Sequence, residues 1–101
     1  MKTKDGCDKL LEIPNHIGGK EIFAIEKNWI ENHAPSTGEI IARIPRSTSQ
    51  DVNLAVESAK NAFEGWSALS KDVRAGWLDK IADSLENRID EIASLESLDT
   101  G

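Results

Sequence analysis

Apolar residues follow two different rhythms along this chain. Up to Pro45 they alternate, or flank glycine-containing turns. From Val52 onward they recur at three- and four-residue steps. The segment "IPNHIGGKEIFAI" sets strand-forming residues on both sides of a Gly-Gly pair, which predicts a β-hairpin with the Ile17 and Ile22 sides paired. In "NWIENHAPSTGEIIARIP" a second hairpin is predicted around "PSTG". Pro and Ser favour a type I turn there, and Gly38 supplies the positive φ that closes it. Beyond the turn, Ile40, Ala42 and Ile44 alternate with Ile41 and Arg43, and Pro45 ends the strand because it cannot donate to a ladder. Residues 1–12 are polar and aperiodic and are expected to form a flexible arm, leaving 13–101 as the structured body.

The helical half opens with Thr48, whose partner three residues on is Asp51, a capping-box pattern. The stripe Val52, Ala55, Val56, Ala59, Ala62, Phe63 predicts a helix over 49–64, stopped by Gly65 with Trp66 packing behind the stop. Ser70 is the expected N-cap of a second helix, with Asp72 in its first turn. Its stripe, Val73, Trp77, Leu78, Ile81, Ala82, Leu85, continues as Ile89, Ile92, Leu95, Leu98. That is long for one globular helix, so a break is expected near Asn87, with Asn87 as a cap for the second segment. Gly101 follows the last periodic residue as a helix stop. Both stripes are expected to be buried where they find a partner, and to stay partly exposed in the chain taken alone. Two N-terminal β-hairpins followed by two or three amphipathic helices make an α+β piece, complete in itself or part of a larger mixed fold.

Composition narrows the function classes. The 101 residues carry a net charge of −6, which phosphate repels, and the lysines and arginines form no stripe, so no nucleic-acid partner is expected. No window approaches eighteen consecutive apolar residues, so no membrane-spanning helix is expected. The N-terminus lacks the apolar stretch of a secretory signal, and Cys7 alone cannot form an internal disulfide. A cytoplasmic location is expected.

The residues that could carry chemistry form no catalytic constellation. Cys7 lies in the polar arm without a partner. His16 and His33 stand far apart with no second ligand at metal spacing. Gly18-Gly19-Lys20 lacks the frame of a phosphate loop, and no helix follows it. Asp79, Asp83, Glu86, Asp90 and Glu91 fall off the apolar stripe as a solvated face, while Phe63, Trp66 and Trp77 read as packing residues.

Four segments, taken in order, nevertheless resemble one family: "NHIGGKEI", "APSTGEIIARIP", "DVNLAVESAKNAFEGWSALS" and "VRAGWLDKIADSLENRIDEIASLESLDTG". From about Asn15 to Gly101 they are similar to the N-terminal region of the NAD(P)-dependent aldehyde dehydrogenase superfamily. Two departures stand out. Ala34 occupies the position of the usual Asn before Pro35, and Gly76 and Trp77 replace aliphatic helix formers. In the family "LDTG" is followed by Lys-Pro and several hundred more residues, so the resemblance implies an incomplete segment of a larger α/β fold.

The resemblance implies that a full-length protein of this kind oxidises a small-molecule aldehyde to a carboxylate with NAD or NADP, through a thiohemiacetal and a thioester. The family's nucleophilic cysteine, general-base glutamate, oxyanion asparagine and dinucleotide site have no matching positions here. No catalytic or cofactor-binding residue is therefore assigned, and Cys7 is no substitute. One site does carry over. Asp99 matches the aspartate beside which many members hold a structural monovalent cation, and Asn32 and His33 match the backbone positions around that ion. Hard cations take oxygen donors of this kind. A homo-oligomer is expected, and the chain alone is expected to be inactive. The alternative is a non-catalytic truncated or stand-alone helical interaction module. The particular aldehyde, and NAD against NADP, are left open by the sequence.

Overall fold

A computed structural model describes residues 10–101. Cys7 and most of the predicted arm lie outside the described residues. Five strands precede three helices: β1 Leu11–Glu12, β2 Asn15–Ile17, β3 Lys20–Ile22, β4 Trp29–His33, β5 Ile40–Pro45, α1 Ser49–Ala68, α2 Lys71–Asn87 and α3 Ile89–Thr100. Strands β2 and β3 form the first predicted hairpin, with Ile17 opposite Lys20 and Asn15 opposite Ile22. Gly18 and Gly19 both take positive φ, +61° and +75°, as a two-residue turn of type I′ demands.

Strands β4 and β5 form the second hairpin, antiparallel, with a register shift between Asn32 and His33. Its turn is held by the backbone. Ala34 donates its N–H to the Glu39 carbonyl at 2.8 Å, and its own carbonyl accepts from Gly38 at 2.7 Å. The asparagine expected by family resemblance is thus not needed to close this turn, and Gly38 has the predicted positive φ, +77°.

Part of the stretch expected to be a loose arm is structured. Leu11 and Glu12 form β1, which pairs parallel with β5 opposite Ala42 and Arg43, giving a three-stranded sheet in the order β1-β5-β4. The strand is anchored from its end, where Ile13 donates its N–H to the Arg43 carbonyl at 3.0 Å, and across it, where Arg43 Nη2 meets Glu12 Oε1 at 2.6 Å. Such parallel pairing is a long-range event that local polarity does not reveal.

Gly65 does not stop α1. The helix runs through it to Ala68 and ends where Leu69 turns extended, φ −69° and ψ 149°, its N–H bonded to the Trp66 carbonyl. A glycine that need not adopt positive φ costs an interior helical turn only about 1 kcal/mol, too little to end it. Ser70 caps α2 as expected, its hydroxyl accepting the Val73 N–H at 3.2 Å. The break between α2 and α3 is present, but Arg88 rather than Asn87 is the junction, at φ −119° and ψ 22°. Its guanidinium forks onto Glu91, Nε to Oε2 at 3.0 Å and Nη2 to Oε1 at 2.8 Å.

The expectation of buried stripes fails for α1 and α2, which are exposed as expected for the chain taken alone, while Ile92, Leu95 and Leu98 of α3 are half-buried. Among the described residues only Ala24, Ala34, Ala42 and Asp51 are buried. Val56, Phe63 and Trp66 of α1 and Trp77, Leu78, Ile81 and Leu85 of α2 are exposed, Phe63 to 67 % and Leu78 to 63 %. The molecule is correspondingly open. Its radius of gyration is 17.1 Å, against about 13 Å for a compact domain of 100 residues. α1 meets the first hairpin at β2 and α2 meets α3, but the two long helices do not pack along one another.

Candidate functional site

The register shift at the end of β4 turns Asn32 toward the last turn of α3, where the helical run from Ile89 delivers Asp99. Asn32 Nδ2 donates to Asp99 Oδ1 at 2.8 Å, joining residues 67 positions apart. Two residues on, Gly101 adopts φ +86° and returns its N–H to the Ser97 carbonyl at 2.9 Å. Its α-carbon lies over Pro35, so that a methyl group there would stand 3.5 Å from the proline Cβ. The end of α3 is therefore fastened to the second hairpin by a polar bond, with Gly101 beside Pro35. Below the fastening lies a groove of about 340 Å³, with Ile13 and Ile41 on the sheet side and Ile92, Leu95 and Leu98 on the helix side.

Of the three residues assigned to a cation, the Asn32 side chain meets the Asp99 carboxylate, while the assignment of Asn32 and His33 concerns their backbone, which at His33 ends β4 next to Asn32. The His33 ring lies over its own hairpin turn, Nδ1 at 3.1 Å from the Gly38 carbonyl. A carbonyl only accepts, so this bond places the proton on Nδ1. Asp99 supplies one carboxylate, a hard oxygen donor of the kind such a cation takes, and among the described residues no group of three acidic, histidine or cysteine side chains converges.

A second fastening lies at the other end of the helical layer. Asp51 is 3 % exposed. Its Oδ2 accepts the Thr48 N–H at 2.9 Å, and its Oδ1 accepts the Ile25 N–H at 3.1 Å. The first bond belongs to the cap read from sequence. The second, which ties α1 to the segment between β3 and β4, carried no local signal. These bonds, led by that from Thr48, hold the carboxyl below its ordinary range against the opposing effect of burial. Asn15 Nδ2 adds a bond to Ser47 Oγ at 2.8 Å on the same side. On the sheet, Arg43 also lies over the Trp29 ring, 4.7 Å from its centroid, and Trp29 in turn packs on Phe23 at 5.3 Å.

None of these groups forms a nucleophile–base pair, and Gly18-Gly19-Lys20 is spent on a hairpin. The arrangement is one of attachment points. Comparison with known proteins says for what. Residues 23–101 match the profile of the aldehyde dehydrogenase family. This chain belongs to the aldehyde dehydrogenase family. It corresponds to the N-terminal region, and its strands and helices are an α+β segment of the larger fold.

The mouse 2-aminomuconic semialdehyde dehydrogenase is 40 % identical over 96 residues, which is 95 % of this chain and 19 % of the mouse protein. Among solved structures, PnpE in complex with nicotinamide adenine dinucleotide is 40 % identical with a TM-score of 0.83, over 85 % of this chain and 18 % of PnpE. An NAD-dependent aldehyde dehydrogenase from Sinorhizobium meliloti is 29 % identical with a TM-score of 0.84, over 90 % of this chain and 19 % of that one. The chain thus spans about a fifth of the length of these aldehyde dehydrogenases. No helix among the described residues is long and apolar enough to cross a membrane.

Proposed function

We propose that this chain is the scaffold segment of an enzyme that oxidises an aldehyde to a carboxylate with NAD as the hydride acceptor. Its part in the reaction is structural. It supplies the two hairpins and the helices on which the cofactor-binding half is assembled, while the reacting groups lie in other segments of the fold. The observation that carries this reading is the family match over residues 23–101 together with a matching backbone in NAD-dependent relatives. The 40 % identity to 2-aminomuconic semialdehyde dehydrogenases makes an unsaturated dicarboxylic semialdehyde the first substrate to try. The assembled enzyme is a cytoplasmic homo-oligomer in this reading.

Asp99, with the backbone of Asn32 and His33, is the place for a structural monovalent cation. The support is the hard oxygen donors and the fastening of α3 to the hairpin at that point. Such an ion would neutralise the carboxylate and stiffen the end of α3, and it would take no part in the chemistry. The experiment is a graft: residues 23–101 replace the matching segment of the mouse relative, and NADH formation is followed with an aldehyde panel. Aldehyde-dependent NADH formation supports the scaffold reading. A folded graft that binds NAD and forms no NADH counts against it.

A further inference from the structure

Arg43 stands between two carboxylates. The pairing of β1 with β5 sets Glu12 opposite it on one side, and the pairing of β4 with β5 sets Glu31 opposite it on the other. Residues directly opposed in register present their side chains to the same face of a sheet. Glu12, Arg43 and Glu31 therefore form one row across the order β1-β5-β4. The guanidinium takes the Glu12 side of that row, Nη2 to Oε1 at 2.6 Å.

What it holds there is slight. β1 is two residues long, and Leu10, Leu11 and Ile13 are each more than a third exposed. Beyond the strand pairing, the attachment is the Ile13 N–H on the Arg43 carbonyl and the ion pair to Glu12. So short and open a strap belongs to the low-stability end of a fold, where opening is local. Its position matters to the groove beneath the Asn32–Asp99 bond, because Ile13 is part of that groove's sheet-side wall.

The closed position also leaves the guanidinium incompletely used. Arg43 Nε is shielded from solvent and, among the described residues, meets no acceptor. A buried donor without an acceptor costs about as much as a lost hydrogen bond, so this position is not a deep minimum. The opposite carboxylate is within the reach of a cross-strand pair. The Trp29 ring under the guanidinium, 4.7 Å from centroid to Cζ, lies two residues before Glu31 on β4 and so on the same face. Packed on Phe23, it is a platform common to both positions.

We infer that Arg43 is a two-position latch on the strap of residues 10–13. On Glu12 it holds the strap closed along β5. Turned onto Glu31, over the same ring, it releases the strap and withdraws Ile13 from the groove wall. One cation shared by two discrete partners is a bistable element, and opening it requires neither the β4–β5 hairpin nor the helices to come apart. The groove beside Asp99 has its complete sheet-side wall only in the Glu12 position.

Hydrogen exchange on the full chain, at fixed pH and salt, reads the latch at the Ile13 N–H. Glu31→Gln removes the competing charge and should slow that exchange by about two- to fivefold, the weight of one cross-strand ion pair. Glu12→Gln should speed it by a similar factor. The Ala34 and Arg46 amides, bonded at the two ends of the β4–β5 hairpin, should keep their rates in both variants. A spectroscopic readout separates partner exchange from simple repulsion between the carboxylates. In Glu12→Gln the Arg43 Nε–H resonance should move as the guanidinium gains Glu31, and in the Glu12→Gln/Glu31→Gln double variant that movement should be lost. Three results would overturn the inference: Ile13 exchange unchanged or faster in Glu31→Gln, an Nε–H resonance that moves equally in the single and double variants, or hairpin amides whose rates follow that of Ile13.

Discussion

Asn32 and Asp99 meet at 2.8 Å although 67 residues separate them. The bond closes the chain on itself, because it joins the penultimate residue of β4 to the last turn of the last helix. It is exposed, so its stabilising effect should be modest, about 1 kcal/mol. A urea-denaturation cycle with Asn32→Ala, Asp99→Ala and the double variant should give a coupling of about that size. Additive losses would mean that the two side chains act independently.

The same carboxylate makes a cation prediction. At fixed ionic strength, replacing tetramethylammonium by potassium or sodium should raise the melting temperature of the assembled protein, and Asp99→Asn should remove most of that rise. An equal rise in the variant would place the ion elsewhere.

Asp51 contributes to the acid stability of the fold. Its carboxyl is held below the ordinary range, foremost by the Thr48 N–H. A lowered folded-state value contributes stability that is fully present above the unfolded value, about 3.9. That stability is lost as pH falls through the folded value. Helicity followed from pH 7 downward should therefore hold to about pH 4 and fall below it. Asp51→Asn should be less stable at pH 7 and should flatten the acid limb, since its amide cannot accept both backbone N–H groups on a charged carboxylate.

Much of the fold was legible locally. Both hairpins follow from "IGGKEI" and "APSTGEII", because turn glycines with positive φ are a local necessity. The start of α1 at Thr48–Asp51 and that of α2 at Ser70 are legible for the same reason, since a cap is read within four residues. The misread features depend on distance or on small energies. β1 is created by pairing with β5, thirty residues away. Gly65 looked like a stop because sequence does not distinguish a positive-φ glycine from one absorbed into a helix. The stripes of α1 and α2 were read correctly as apolar faces. Their exposure in the chain alone was expected from the family resemblance, because periodicity says only that a face is to be covered and the resemblance places its cover outside these residues. At the candidate site, Asp99 and Asn32 came from family resemblance. The bond between them came only from the fold.

Gly65 gives a direct check on that misreading. Its position is helical, and a methyl group there meets nothing within 4 Å. Gly65→Ala should therefore stabilise α1, by up to about 1 kcal/mol. Gly18→Ala should do the opposite. Its φ is +61°, and the added carbon would stand 3.3 Å from Ser58 Oγ. Thermal melts of the two variants should move in opposite directions, and a loss of helicity in Gly65→Ala would restore the glycine as a true helix end.

The most direct measurement of the central claim is NADH formation, at 340 nm, by the graft in which residues 23–101 replace the matching segment of the mouse 2-aminomuconic semialdehyde dehydrogenase. If this chain is an aldehyde dehydrogenase scaffold, the graft should retain turnover within about tenfold of the parent, with the parent's preference among aldehydes unchanged. A graft that folds and binds NAD but has lost turnover altogether would contradict the account.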